Sequence, residues 1–320
     1  MKRNIKKWIR RLINGIVLLF LIHFIWSGEY KILIQTCQSI TKKEILLLVL
    51  IGGIFYFFQC FSQFLLISNL QVKSGFKKSF DITALGLIGH ATTSSVGTIP
   101  LQSYYWSQCD IPYGKGLGIS MMNMIFHKLA VCINAFVIIC ANFTWIQKST
   151  HLKFIVFGWV VNFCIILCML LLLLDHNILN LFVQKIKNES LACEVDNLFE
   201  FSKQSLKNKK RNRSVFLASW IKIIFLCTIP YLCLRMVGIQ TITFLQAYTL
   251  SSIVVCMSGV LPSIAGMGPV EGTFLLYFLP FASKELVFLA MILYRVASYF
   301  CPLIIGFLDY IKIQKLYFVD

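Results

Sequence analysis

The chain has 320 residues, of which 58% are hydrophobic and only 13% charged, where a soluble domain would carry roughly a quarter charged residues. Several apolar runs approach or pass the roughly 20 residues that cross a hydrocarbon core of about 30 Å, which excludes a soluble domain and predicts a polytopic membrane protein. The net charge of +17 sits on basic residues flanking those runs; no soluble basic domain is long enough for nucleic acid, and the charge points instead to anionic lipid at the cytoplasmic face.

In chain order, the first apolar segment, 12–27, follows a basic start, but "HFIWSGEY" offers no small-residue cleavage site, so it is expected to be a retained span. Further full-length spans are predicted at 44–68, 118–143, 154–174, 214–236 and 286–310, six in all. Two more apolar regions, 80–109 and 243–281, are each broken in the middle. The substantial polar stretch, 175–213, predicts an amphipathic surface helix followed by a basic tether. The twelve cysteines lie mostly inside apolar runs, with no C-x-x-C pair. Cys164 and Cys168 are helical neighbours read as packing residues. The spacing supports no disulfide, no metal site and no cofactor, and no Ser-His-Asp or paired-acid constellation has a setting that would assign a catalytic residue.

Charge decides how the broken regions sit. If each were one ordinary crossing, loop Lys and Arg would divide 13 inside to 13 outside. If each enters and leaves on one side, the division becomes 20 inside against six outside. Short cytoplasmic loops carry the Lys/Arg excess, which favours the second arrangement. The expected fold is therefore an all-α integral membrane protein, one polytopic domain over 1–320, with six spans and two oppositely oriented re-entrant helical hairpins. The hairpins enter from opposite faces, and both termini are cytoplasmic. An inverted repeat follows, repeat one over about 44–143 and repeat two over about 214–310, with the basic loop 175–213 between them; such repeats build sites near the bilayer midplane.

Each repeat carries a glycine-proline break and then a basic residue in the next apolar helix. In "SSVGTIPLQSYYW" these are Gly97 and Pro100, followed by Lys128; in "IAGMGPVEGTF" they are Gly266, Gly268 and Pro269, followed by Arg295. Proline favours the first helical position, so Pro100 and Pro269 are expected to start the returning arms. Their N-termini would aim orphan N–H groups and positive dipole ends at the membrane interior, a receptacle for phosphate. Lys128 and Arg295 are predicted about 15 Å deep, where a charge costs at least about 2.5–3.5 kcal/mol and needs a partner or a wet cavity. They are candidate ligands of a lipid phosphate, and Arg295 is equally a candidate partner of Glu271. Glu271 complements the dipole of its own helix, and it could also bind a cationic headgroup. Gln102 completes the candidate substrate-binding set; His90, His127 and Asn123 are secondary. The "YYW" at 104–106 reads as an interfacial aromatic belt, and Lys222 and Arg235 as residues near span ends that snorkel.

"LPSIAGMGPVEG" resembles the P-x-P-G-G-x-G-x-x-E signature of the lysylphosphatidylglycerol synthase transmembrane-region family, the flippase half of the bacterial multiple peptide resistance factor. "TTSSVGTIPLQSYYWSQCDIP" resembles that family's first motif region, and "AMILYRVASYFCPLIIGFL" its closing helix with a Tyr-Arg pair. The resemblance covers most of the chain. Ile264 and Ala265 stand where the family often has Pro and Gly; Thr93, Thr98 and Ile99 stand for Pro, Gly and Gln; and His127-Lys128 stands where many members have Glu-Arg or Glu-Lys. The family's soluble aminoacyl-transfer domain has no counterpart here. The resemblance thus implies a bacterial cell-membrane translocase for an anionic or aminoacylated phospholipid such as lysyl-phosphatidylglycerol, working beside a separate lipid-modifying synthase. The alternatives it leaves open are a lysyltransferase-family enzyme or accessory subunit, and a transporter of polyprenyl-phosphate sugars.

Overall fold

Thr41 opens the first helix of the computed structural model, which describes residues 40–68, 75–93, 97–147, 152–175, 189–260 and 268–317. The Thr41 hydroxyl accepts from the Glu44 N–H while the Glu44 carboxylate accepts from the Thr41 N–H at 2.9 Å, a reciprocal cap for α1 (Lys42–Ile67). There follow α2 (Phe76–Thr93), α3 (Thr98–Ser107), α4 (Tyr113–Ala141), a short α5 (Phe143–Gln147) and α6 (Leu152–Leu174). Beyond these come α7 (Glu189–Lys207), α8 (Lys209–Met236), α9 (Phe244–Ser258), α10 (Pro269–Phe278), α11 (Lys284–Arg295), a π-helical segment (Val296–Phe300) and α12 (Cys301–Tyr317). The described residues contain helices and no strand.

Among the described residues, five helices are long and apolar enough to cross a membrane: Lys42–Ile67, Tyr113–Ala141, Ile155–Leu174, Lys209–Met236 and Lys284–Ile311. They match the five predicted spans from 44 onward, and the predicted span 12–27 lies outside the described residues. Large apolar side chains are exposed on the outer faces, among them Leu46, Val49 and Leu50 of α1, Phe157, Phe163 and Leu171 of α6, and Ile304 and Leu308 of α12. An aqueous surface rarely carries so extensive an apolar face; together with the five apolar helices it marks a multi-pass membrane protein. Cys164 and Cys168 are exposed on α6. They do not pack in the core as expected, because α6 lies at the periphery and turns that face outward.

The two broken regions form the short pairs α2–α3 and α9–α10. At about 1.5 Å per residue, α3 and α10, ten residues each, reach only about 15 Å, half of the hydrocarbon core. Each pair has its own apolar core. Ile82, Leu85, Tyr105 and Trp106 pack with the end of α1 (Leu66, Ile67), the beginning of α4 (Ile119, Met122) and the beginning of α8 (Val215). Leu250, Ile253, Phe274 and Phe278 pack with the beginning of α1 (Leu48), the end of α8 (Ile229, Leu234) and α11 (Val287, Met291). Hence α1 and α8, which lie side by side, run antiparallel. Contacts between the halves come in pairs: α4 packs on α9, and α12 packs on α2.

Three expectations are corrected here. The basic run 209–213 is not a tether; it forms the first turns of α8, because Asn208 caps that helix by accepting from the Arg211 N–H at 3.0 Å. With α8 starting so early, Lys222 falls in mid-helix and is buried, whereas Arg235 does lie at the helix end, with its guanidinium carbon 5.0 Å from the Tyr231 ring centroid. Tyr105 and Trp106 are fully buried, not interfacial. Tyr105 donates to Asp81 of α2 at 2.9 Å, so the aromatic pair fills the first core.

Candidate functional site

Arg295 lies in the interior of the span Lys284–Ile311, at the last α-helical residue before the π-helical segment. The widening has a local cause. Pro302 has no N–H for the carbonyl of Ser298, and its ring presses on that carbonyl, while the Ser298 hydroxyl bonds back to the Tyr294 carbonyl at 2.7 Å. A π turn of this kind re-aims side chains and often marks a functional site. Here it brings Tyr299 beneath the guanidinium, whose carbon lies 4.4 Å from the ring centroid, a cation–π contact.

The Arg295 Nε is 2.7 Å from Glu271 Oε1. The N–H is not aligned on that oxygen, so the contact is an ion pair more than a linear hydrogen bond. Glu271 is the third residue of α10, and its Oε2 accepts from the Gly268 N–H at 2.7 Å. One carboxylate thus satisfies an orphan N–H, complements the helix dipole and neutralises a buried arginine. The cap places Gly268 at φ 102°, a conformation that residues with a side chain rarely adopt. Pro269 is the first residue of α10, as expected. His90 of α2 meets the Tyr299 ring edge-on, with centroids 6.2 Å apart, so the first half of the chain reaches this cluster too.

Lys128 lies near the middle of α4, buried, and donates to Asn162 Oδ1 of α6 at 3.0 Å and to the carbonyl of Gly259 at 3.1 Å. Gly259 is the C-terminal cap of α9, where a cation suits the dipole. Lys128 therefore faces a helix C-terminus, where the sequence reading set it against helix N-termini. An ammonium has three donors, and two are engaged. Asn162 is itself fixed, donating to the Cys256 carbonyl at 2.8 Å. The two cations from the two halves hold opposite ends of one chain break: Lys128 at the end of α9, Arg295 through Glu271 at the start of α10.

The remaining predicted residues are placed as follows. Gln102 is buried on α3 and donates to the Ile82 carbonyl of α2 at 3.1 Å, joining the arms of that pair. Gly97 caps α3, and Pro100 is its exposed third residue, not its first; the arm starts at Thr98 because the Gly97 carbonyl already accepts from the Leu101 N–H at 3.0 Å. Gly266 lies outside the described residues. Asn123 accepts from Ser62 of α1 at 3.2 Å. Sequence reasoning missed Asn162, Gly259 and Tyr299. A lone asparagine within the apolar run "FGWVVNFCIIL" was the available signal, because an amide in a span seeks a partner on another helix.

The family described as the lysylphosphatidylglycerol synthase TM region matches residues 8–306 of the chain. No curated protein sequence matches it.

Proposed function

The chain belongs to the lysylphosphatidylglycerol synthase TM region family, and from that premise we propose that this multi-pass membrane protein moves an anionic or aminoacylated phospholipid, such as lysyl-phosphatidylglycerol, between leaflets. The observation that carries the reading is the Arg295–Glu271 pair at the N-terminus of α10. It is a matched positive and negative group at a chain break inside the membrane, with Arg295 buried and Glu271 partly exposed. A lysyl-lipid headgroup presents the complementary charges. Its phosphate takes the place of the Glu271 carboxylate at Arg295 and at the Gly268 N–H, and one of its two ammonium groups pairs with the released carboxylate. Exchange of one ion pair for two offsets the loss of hydration of the phosphate and of that ammonium, as a transfer between leaflets requires. Lys128, with one donor left, waits at the other end of the break.

The architecture we assign is an inverted repeat in which α2–α3 and α9–α10 are re-entrant, entering from opposite faces, with both termini cytoplasmic. Three observations support it. The end of α1 and the beginning of α4 share one core and are joined by the Ser62–Asn123 bond, which favours a chain that returns to the side it left. The end of α8 and the beginning of α11 likewise share the other core. The paired contacts α4–α9 and α12–α2 are those that a two-fold relation between the halves would generate. Gly97, Pro100 and Gln102 shape the first pair, and Gly268 and Glu271 the second.

The purified chain in proteoliposomes tests the function, with fluorescent lysyl-phosphatidylglycerol in both leaflets and a membrane-impermeant quencher outside. Accelerated quenching of the inner pool by the wild-type chain, and not by Arg295→Met, is expected. Formation of lysyl-lipid from phosphatidylglycerol and lysyl-tRNA, without lipid movement, would replace this reading with the aminoacyl-transfer one.

A further inference from the structure

A second group of polar side chains lies between α1, α4 and α8, and nothing in the site above uses it. Its centre is Lys222 of α8, which is 4% exposed and has neither an ion pair nor a hydrogen bond among the described residues. The helix register identifies its neighbours. Phe58 of α1 stacks on Phe225 of α8, with centroids 6.3 Å apart, and Cys60 lies within electrostatic reach of Lys222. Since the helices run antiparallel, Gln63, one turn after Cys60, comes level with Ser219, one turn before Lys222. Gln63 is 1% exposed, and neither of its amide atoms has a hydrogen-bond partner among the described residues; the Ser219 hydroxyl is buried and unpartnered as well. From α4, His127 lies within electrostatic reach of Lys222, and its Nδ1 is buried without a hydrogen-bond partner among the described residues. Ser62–Asn123 holds α4 against α1 one turn away.

Buried polar groups are almost always satisfied, and in lipid they are costlier still to leave unmade. Lysine, glutamine amide and serine together supply more donors than acceptors, around a full positive charge. No carboxylate pairs with Lys222 among the described residues: Asp81 acts on Tyr56, a turn before Cys60 on α1, and Asp309 acts on Tyr56 and Cys60, but neither acts on Lys222 itself. The surplus calls for an anion with several oxygens, and the Gln63 carbonyl adds a place for that anion's own hydroxyl. We propose that the junction of α1, α4 and α8 is a second, intramembrane anion site in which Lys222, Gln63, Ser219 and His127 take a phosphate-bearing group. The shared chemistry is a hydroxylated phosphate, carried either by a glycerol-type lipid headgroup or by free hydrogen phosphate. The site uses other residues than the Arg295–Glu271 pair, although His90, which borders that pair at Tyr299, and Lys128 both lie within electrostatic reach of His127, and it does not depend on lipid movement.

Native mass spectrometry of the full chain in detergent, with phosphatidylglycerol in one series and inorganic phosphate in the other, tests it. Arg295→Met combined with Glu271→Gln removes the first anion locus and serves as the background. On that background one phosphate-bearing adduct is expected to remain, and Lys222→Met is expected to remove it. Loss of the lipid adduct assigns the site to a headgroup; loss of only the phosphate adduct assigns it to the free ion. An adduct count unchanged by Lys222→Met overturns the proposal. Thermal melting separates ligand from scaffold: without added ligand, Lys222→Met should melt no lower than wild type, because an unpartnered buried charge has been removed. A lower melting temperature together with loss of adducts would show that Lys222 holds the helices, and would overturn the proposal too. Failure of the translocase reading would leave these counts unchanged.

Discussion

At Arg295 the observed role, partner of Glu271, and the proposed one, ligand of a lipid phosphate, separate under paired substitution. Glu271→Gln alone puts a neutral amide in place of the carboxylate beside an arginine side chain that is 7% exposed, and removing one member of a buried pair typically costs about 3–5 kcal/mol. Adding Arg295→Met removes the charge that has lost its carboxylate, so the double variant should regain most of the melting temperature lost by the single one. Lipid movement in proteoliposomes should stay lost, because the headgroup phosphate has no arginine to meet. Recovery of movement along with folding would confine Arg295 to a structural role. Gly268 gives an independent residue-scale test. A Cβ there would meet no heavy atom of the described residues within 4 Å, yet φ is 102°, so Gly268→Ala should lose about 1–3 kcal/mol of stability through backbone strain, read by thermal melting in detergent. Much of this site was legible in the chain: Gly268, Pro269 and Glu271 follow capping rules that need no neighbours. Tyr299 was not, because its place under Arg295 depends on the π turn that Pro302 forces, and helix periodicity assumes a regular ladder. The depth of Lys222 was misread for a related reason: polar character set the expected start of α8, while Asn208 moved the real start ahead of the basic run.

Among the elements, the packing of the α2–α3 pair rests on two glycines that differ in what they face. A Cβ on Gly86 would come 2.3 Å from the Gln102 amide nitrogen, whereas one on Gly89 would come 2.9 Å from the Thr98 Cα. The first obstacle is the far end of a flexible side chain and can rotate away, at the expense of its bond to the Ile82 carbonyl. The second is backbone and cannot. Gly89→Ala should therefore destabilise the protein more than Gly86→Ala, with Gly89→Ala in the range of about 1–3 kcal/mol usual for overpacking, measured by thermal melting. Similar losses would mean that the arms are free to move apart. Between the halves, Asn134 of α4 donates to Ser252 at 3.0 Å and accepts from Tyr248 at 2.9 Å, both on α9. Such bonds between membrane helices average about 0.6 kcal/mol and reach about 1.7, so Asn134→Leu should cost about 1–3 kcal/mol. The spans and breaks could be read from hydropathy and from glycine and proline because these act locally. The α4–α9 and α12–α2 contacts could not, since the apolar residues that make them look the same whether they face lipid or another helix.

For the molecule as a whole, the decisive quantity is the side on which α7 lies. Its side is coupled to the rest of the fold: the Gly114 N–H at the start of α4 donates to Glu194 at 2.6 Å, and Lys115 pairs with Glu200 at 3.1 Å, so α7 is fixed beside the beginning of α4. If α2–α3 is re-entrant, the beginning of α4 is on the side where α1 ends, and the 20-to-six charge division makes that side cytoplasmic. If α2–α3 crosses instead, the same contacts carry α7 and the basic first turns of α8 to the outside. Ser202 is unsuited to deciding between these, because it is buried and bonded to the Leu198 carbonyl at 2.8 Å. Lys203, next to it, is exposed on the other face of α7. In a cysteine-free background, Lys203→Cys should resist an impermeant maleimide in intact cells and react once the membrane is permeabilised, while a cysteine at Lys284, which begins α11 on the opposite side, should react in intact cells. Labelling of position 203 from outside would remove the re-entrant reading of α2–α3. The break between α9 and α10 would then lose its two-fold counterpart, though Arg295 and Glu271 would still face each other across the start of α10.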